Sequence, residues 1–94
     1  MELDLHEFDD EVWQAPQLRV SMGAYERACR DFGGSQGKSE EQKKTVIESL
    51  YAAVVASDLD RIKVLVKVLE VIYGLPRDEV PDLLVAFQAK RQAA

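Results

Sequence analysis

The chain offers few side chains for nucleophilic, acid–base or metal chemistry, since its 94 residues include one histidine, His6, and one cysteine, Cys29. His6 stands in a run of acids and fits a surface residue better than a general base. Cys29 falls on the apolar seam of a predicted helix, which is typical of a small buried hydrophobe and not of a reactive thiolate. These two residues cannot supply a zinc-ligand set or an internal disulfide. The sequence therefore predicts no enzyme activity, no metal and no cofactor.

A glycine-rich stretch from Gly33 to Ser39, GGSQGKS, has some features of a phosphate-binding loop, which ends in Gly-Lys-Ser and enters a helix. The spacing does not fit, because such a loop needs glycine at the position of Phe32. The setting does not fit either, since the stretch follows a predicted helix and no strand–helix–strand alternation surrounds it. We interpret the glycines as a chain reversal, and Ser39 with Gln42 as the capping box of the next helix.

Charge is distributed unevenly along the chain. The net charge is −5, and residues 1–12 contain six acids and no base, which leaves 11 acids and 12 bases in the remainder. The six acids are Glu2, Asp4, Glu7, Asp9, Asp10 and Glu11. Because the remainder is nearly neutral, it lacks the one-sided basic field with which proteins approach nucleic acid, and we do not expect nucleic acid as a partner.

Residues 1–15 form an acidic-hydrophobic N-terminal arm, which admits two interpretations. In the first, the arm folds back and seats Phe8 and Trp13 on the body, where each ring contributes roughly 1.5–3 kcal/mol of transfer free energy. In the second, the arm stays exposed and docks on a protein partner with a basic surface. The candidate partner-binding residues under the second interpretation are Leu5, Phe8, Asp9, Asp10, Glu11 and Trp13.

The most apolar stretch of the chain predicts a central helix over about 58–74. Its polar residues recur at steps of three and four on one narrow stripe, which favours a helix over the strand that alternate β-branched residues would suggest. Ser57 and Asp60 have the spacing of a capping box, and Gly74 followed by Pro76 is typical of a helix end. Such a helix is apolar on three sides and needs neighbours on several of them.

Three further helices are predicted, over about 16–32, 40–56 and 79–91, the last with Asp78 as its cap. The apolar face of the helix predicted over 40–56 does not continue past Ser57, which favours a break near 56–58. The alternative is one continuous long helix. The fold class is therefore all-α, a small single-domain bundle of about four helices over residues 16–92.

The first helix is predicted to begin at Pro16, which suits a first helical turn. Gly23 inside it suggests close approach of another helix. Its apolar seam consists of Leu18, Met22, Tyr25, Cys29 and Phe32.

These features favour a small non-catalytic protein–protein interaction module that regulates, inhibits or adapts another macromolecule. A helix that is apolar on three sides is hard to cover in so small a body, which predicts a homodimer. The alternative function is a helix-turn-helix transcriptional regulator that binds DNA with residues 81–90, although these place no arginine near the start of the recognition helix.

Two features of the sequence indicate where in the cell the protein is located. No apolar run reaches the roughly 18 residues that span a bilayer, and the acidic start is unlike a secretory signal. We therefore expect a cytoplasmic protein with no membrane partner.

Overall fold

The computed structural model describes residues 5–33 and 40–93, and within these ranges it contains helices and turns but no strand. Four α-helices form the body, namely α1 (Met22–Ala28), α2 (Glu40–Val55), α3 (Leu59–Ile72) and α4 (Val80–Ala93). Short turns accompany them, which are 3₁₀ turns at Leu5–Phe8 and Arg77–Glu79 and π-helical turns at Asp9–Trp13 and Cys29–Gly33. The radius of gyration is 12.6 Å, close to the roughly 12 Å of a compact domain of this length. The predicted all-α fold class is confirmed.

Helix α3 is the centre of the core and packs against both α1 and α2. Six of its apolar side chains are buried, Ile62, Val64, Leu65, Val66, Val68 and Leu69. Its most exposed apolar side chain is Val71, at 58%. Because the chain itself covers α3, the structure removes the physical reason for expecting a homodimer, and the oligomeric state stays a prediction.

The corner between α2 and α3 confirms the predicted break. Ser57 has a φ of 55°, and the amides of Ser57 and Asp58 donate to the carbonyls of Val54 and Ala53 at 3.0 and 2.9 Å. This is the Schellman pattern, with serine at the position that glycine usually occupies. The predicted cap at Ser57 is wrong, because Ser57 ends α2 and the Asp58 carboxylate instead accepts the Arg61 amide, at 3.4 Å.

The other end of α3 agrees with its sequence signals. Gly74 has a φ of 67°, as expected of the glycine that ends a helix. The 3₁₀ turn Arg77–Glu79 then runs directly into α4 at Val80. Asp78 lies inside this turn, so the prediction that it caps a helix from residue 79 is wrong.

The first helix begins at Met22 and not at Pro16, because Ser21 is its cap and accepts the Ala24 amide at 3.5 Å. Before it, Leu18 and Val20 are half-buried against the core while Arg19 between them is exposed. This alternation is that of an extended chain and not of a helix.

Two details of that helix also differ from expectation. Met22, a predicted seam residue, is 62% exposed. Among the described residues, Gly23 meets no neighbouring helix, since a Cβ atom there would come near only the Ser21 hydroxyl oxygen, at 4.0 Å. The glycine-rich motif cannot be placed, because residues 34–39 lie outside the described ranges, and Ser39 lies there too.

Candidate functional site

The N-terminal segment, residues 5–15, is part of the domain. Leu5, Phe8, Val12 and Trp13 are buried in the hydrophobic core cluster. The Trp13 indole Nε1–H donates to the Leu5 carbonyl at 2.8 Å, which closes the segment on itself. Each buried ring brings a large apolar area, and the indole N–H is paired as burial requires. Folding back, the first of the two interpretations, is the one that the structure confirms.

This placement corrects half of the predicted partner-binding set. Leu5, Phe8 and Trp13 are buried in this chain's own core and are unavailable as surface anchors. Asp10 and Glu11 are exposed and Asp9 is half-exposed, on the outer side of the same segment. The sequence prediction therefore assigned the wrong role to Leu5, Phe8 and Trp13, which belong to the core. The three acids remain candidates for contact with a partner.

Arg77 fixes the N-terminal segment to the rest of the molecule. Its Nη1 donates to the Val12 carbonyl at 2.9 Å, and its Nε lies 3.3 Å from Glu70 Oε2 on α3. The Arg77 side chain is only 19% exposed. One guanidinium therefore joins the segment, α3 and the turn before α4.

The 3₁₀ turn Arg77–Glu79 packs against the π-helical turn Asp9–Trp13, so the backbone that carries Asp78 and Glu79 lies beside the backbone that carries Asp9, Asp10 and Glu11. Asp78 and Glu79 are both exposed, and they follow directly on the residue that binds Val12. We call the combined surface the acidic face, and it consists of Glu7, Asp9, Asp10, Glu11, Asp78 and Glu79. Sequence reasoning missed its last two members, because nothing local shows that residues so far apart in the chain adjoin.

The groups considered for catalysis do not form a reactive arrangement. His6 is exposed, with Nδ1 3.1 Å from Asp9 Oδ2. Cys29 is half-buried and packs on the core beside Tyr25. Among the described residues, no group of three His, Cys, Asp or Glu side chains could hold a metal ion.

Two tyrosines have a pKa above the ordinary value of a phenol. Burial raises the pKa of Tyr73, whose hydroxyl donates to the Phe32 carbonyl at 2.8 Å. Burial also raises the pKa of Tyr25, with a further contribution from its hydrogen bond to Cys29. A raised phenol pKa is the opposite of what a general base at neutral pH requires.

A cleft of about 370 Å³ opens between α1 and the start of α3. Its floor includes Ala28, Val64 and Leu65. Exposed groups of both signs line its rim, Arg27, Arg61, Asp31, Asp58 and Asp60. Because neither sign of charge dominates, the cleft does not single out a class of ligand.

Helix α4 is the candidate recognition helix of the DNA-binding alternative. Asp78, Glu79 and Asp82 are exposed at its beginning, where a recognition helix would present side chains to bases. Its basic residues Lys90 and Arg91 lie in the last turn. The Arg91 guanidinium stacks over the rings of Tyr51 and Phe87, 5.2 and 5.9 Å from their centroids, which occupies it within the domain.

In the described ranges, no helix is long and apolar enough to cross a membrane. Comparison with known proteins found no protein-family model, no curated protein and no solved structure that matches this chain.

Proposed function

We propose that this chain is a small non-catalytic interaction module whose acidic face binds the basic surface of a protein partner. The observation that carries this proposal is that the carboxylates stand on backbone tied into the core through the Arg77–Val12 hydrogen bond. Occupation of a basic surface blocks what that surface otherwise binds, so the module would act as an inhibitor, regulator or adaptor. We place it in the cytoplasm, where the unpaired Cys29 stays reduced.

This function is physically reasonable because the acidic segment is already folded before it binds. A disordered acidic tail loses conformational entropy when it binds, whereas a segment that is already packed loses little. Acids carried on neighbouring turns also add to the local negative potential, which steers a basic partner and speeds association. Binding should therefore weaken steeply as the salt concentration rises.

The test is capture of a partner from the native host by two matched variants. One variant, Glu7→Gln with Asp10→Asn and Glu11→Gln, neutralises three exposed acids of the acidic face. The control variant neutralises three exposed acids on α1 and α2, Glu26→Gln, Glu41→Gln and Glu48→Gln. Asp9 is left unchanged because it contacts His6.

We expect the control to capture the same basic protein as the wild type, and the acidic-face variant to lose most of it at equal thermal stability. The captured protein should also elute as the salt concentration is raised. Equal capture by both variants would contradict the proposal, because total charge and not the acidic face would then be responsible.

The helix-turn-helix alternative gains no support from a specific contact. The beginning of α4 adjoins the acidic face, whose negative charge repels the DNA backbone. Titration with a DNA duplex at low salt would test it directly, and binding there would revive this alternative.

A further inference from the structure

A second cleft, of about 390 Å³, lies between the extended chain before α1, helix α3 and the turn that precedes α4. Its lining residues are Pro16, Gln17, Leu18, Lys67, Glu70 and Arg77. The volume is in the range of pockets that hold small molecules, about 300–1,000 Å³. Two of the lining side chains are cations and one is a carboxylate, so positive charge dominates here, in contrast to the cleft between α1 and the start of α3.

The cations of this cleft are more enclosed than most others in the molecule. Most lysines and arginines that the structure describes are exposed, and the half-buried ones are Lys43, Lys63, Lys67 and Arg77. Two of these four line the cleft, and Lys63 precedes Lys67 by one turn on the same side of α3. Because water and salt screen partly buried charges less than exposed ones, these cations attract an anion more strongly than the exposed cations do.

Lys67 has hydrogen-bond donors to spare. Its Nζ lies over the Tyr25 ring, 5.5 Å from the ring centroid. This contact is favourable, but an ammonium carries three N–H donors and the ring is not a strong acceptor for them. Among the described residues, no carboxylate pairs with the Lys67 ammonium. A half-buried charge without a counter-charge is costly, so an anion from outside the chain is favoured beside it.

Arg77 also keeps donors for a further acceptor. Its Nη1 donates to the Val12 carbonyl, and its Nε lies 3.3 Å from Glu70 Oε2. A guanidinium has five N–H donors in a planar fork, so these two contacts leave others, including those of Nη2. Since Glu70 offsets the charge of Arg77, Lys67 is the uncompensated cation of the cleft. A compact ammonium and a planar fork of donors in one cleft suit an oxyanion.

We propose that this cleft binds a small phosphate monoester, with its phosphate held by Lys67 and Arg77 and its organic part against Pro16 and Leu18. A phosphate has three terminal oxygens and can meet an ammonium and a guanidinium at once, whereas a carboxylate has two. Its charge, close to −2, also gains more from two cations. The proposal does not depend on the acidic face or on the partner of that face.

The experiment titrates the full chain with phenyl phosphate at low salt and about pH 8, where the ester is a dianion. Shifts of amide signals in NMR spectra locate the binding and give the dissociation constant. Phenylacetate is the carboxylate probe, and inorganic phosphate is the probe without a ring. The titrations are repeated on Lys67→Met and on the control Lys44→Met, which removes an exposed lysine of α2 outside the cleft.

We expect saturable shifts at the amides of Gln17, Leu18 and Arg77, and tighter binding of phenyl phosphate than of either other probe. Lys67→Met should weaken the binding of phenyl phosphate about tenfold or more, because a charged hydrogen bond is lost. Lys44→Met should leave the dissociation constant unchanged within about a factor of two, since exposed charges at a distance are largely screened.

Glu70 provides an independent change of opposite sign. Glu70→Gln removes the negative charge from the cleft and weakens the hold on Arg77 Nε, so phenyl phosphate should bind about threefold more tightly or better. The control is Glu48→Gln at an exposed position of α2, which should change the affinity little. Glu70→Gln also decides the test if Lys67→Met fails to fold, because unchanged or weaker binding by this variant would contradict the proposal.

Two further results would overturn the proposal. Shifts that do not saturate, or equal weakening by the two lysine variants, would show a general attraction of anions to basic residues and no defined site. Binding of phenylacetate as tight as that of phenyl phosphate would show that the cleft does not select a phosphate. Neither result bears on the proposed function, because the acidic face is tested with a basic protein and not with an anion.

Discussion

The N-terminal segment and helix α3 lie in the same core but are held there in different ways. Helix α3 has a regular backbone and buries six apolar side chains between two helices. The segment buries Leu5, Phe8, Val12 and Trp13 in the core. Its backbone, however, has two short irregular turns that are joined by individual bonds from side chains to carbonyls, Trp13 to Leu5 and Arg77 to Val12. Both regions are held by buried apolar side chains, and they differ in their backbones, which are a regular helix in α3 and irregular turns in the segment.

The two regions differ in how easily they open. A regular helix at the centre of the core resists local opening, whereas short irregular turns at the edge of the domain open more readily. The acidic face is built largely on the second kind of element. Its order should therefore respond to single substitutions and to a partner, while α3 should respond only to changes that threaten the whole fold.

The largest expected effect is at α3. Leu69→Ala removes a fully buried side chain and should lower the free energy of unfolding by roughly 2–5 kcal/mol. Urea denaturation measures this loss, which should affect all parts of the domain together. Val71→Ala on the same helix is the control, since Val71 is exposed and should change stability by about 0.5 kcal/mol or less. Equal losses for the two would contradict the packing described for α3.

A smaller and local effect is expected in the segment. Trp13→Phe keeps a ring in the core but removes the indole N–H, which leaves the Leu5 carbonyl without that donor at a cost of about 1–2 kcal/mol. The amide of Gln14, which donates to the Asp9 carbonyl, should exchange about 5–30 times faster. The amide of Val66 in α3 is the internal control and should not change. A global loss of protection would show that the two regions do not open separately.

A substitution at the corner before α3 should raise the free energy of unfolding. Ser57→Gly places glycine where φ is positive and should raise the free energy of unfolding by about 0.5–1 kcal/mol. Ala52→Gly, at an exposed position inside α2, is the matched control and should lower it by about 1 kcal/mol. Thermal unfolding of the two variants measures both shifts. Destabilisation by Ser57→Gly would mean that the corner is not held as described.

The smallest effect concerns pH at the end of α3. Burial raises the pKa of Tyr73 in the folded state, so its contribution to stability is complete below the unfolded pKa of about 10 and is lost as the pH rises through the folded value. The free energy of unfolding should therefore fall above about pH 10, and Tyr73→Phe should remove part of that fall. Denaturant unfolding at several pH values, from neutral upward, measures it. The same alkaline slope in wild type and variant would contradict this assignment.

The sequence predicted the regular regions well. Helix α3 spans Leu59–Ile72, and about 58–74 was predicted. The two agree because the helical spacing of its polar and apolar residues and the terminal Gly74 both indicate a helix that ends there. The corner at Ser57 was found from the loss of apolar phase, but its cap was assigned wrongly, since nothing local indicates a serine with positive φ.

The irregular regions were less predictable, for physical reasons. Pro16 is compatible with a helix start, and only packing of Leu18 and Val20 on the core shows that the chain there is extended. The acids of residues 1–12 could be read as a patch, yet the contact of Arg77 with Val12 joins positions 65 apart in sequence. Such a contact depends on the finished fold, so Asp78 and Glu79 could not be assigned to the acidic face beforehand.

Hydrogen exchange by NMR on the unmodified chain tests most directly whether the acidic face stands on an ordered segment. We expect the Trp13 indole proton and the Gln14 amide to be protected from exchange, less than the amides of α3 but well above those of an unstructured peptide. Exchange of both at the rate of an unstructured peptide, with α3 still protected, would contradict it.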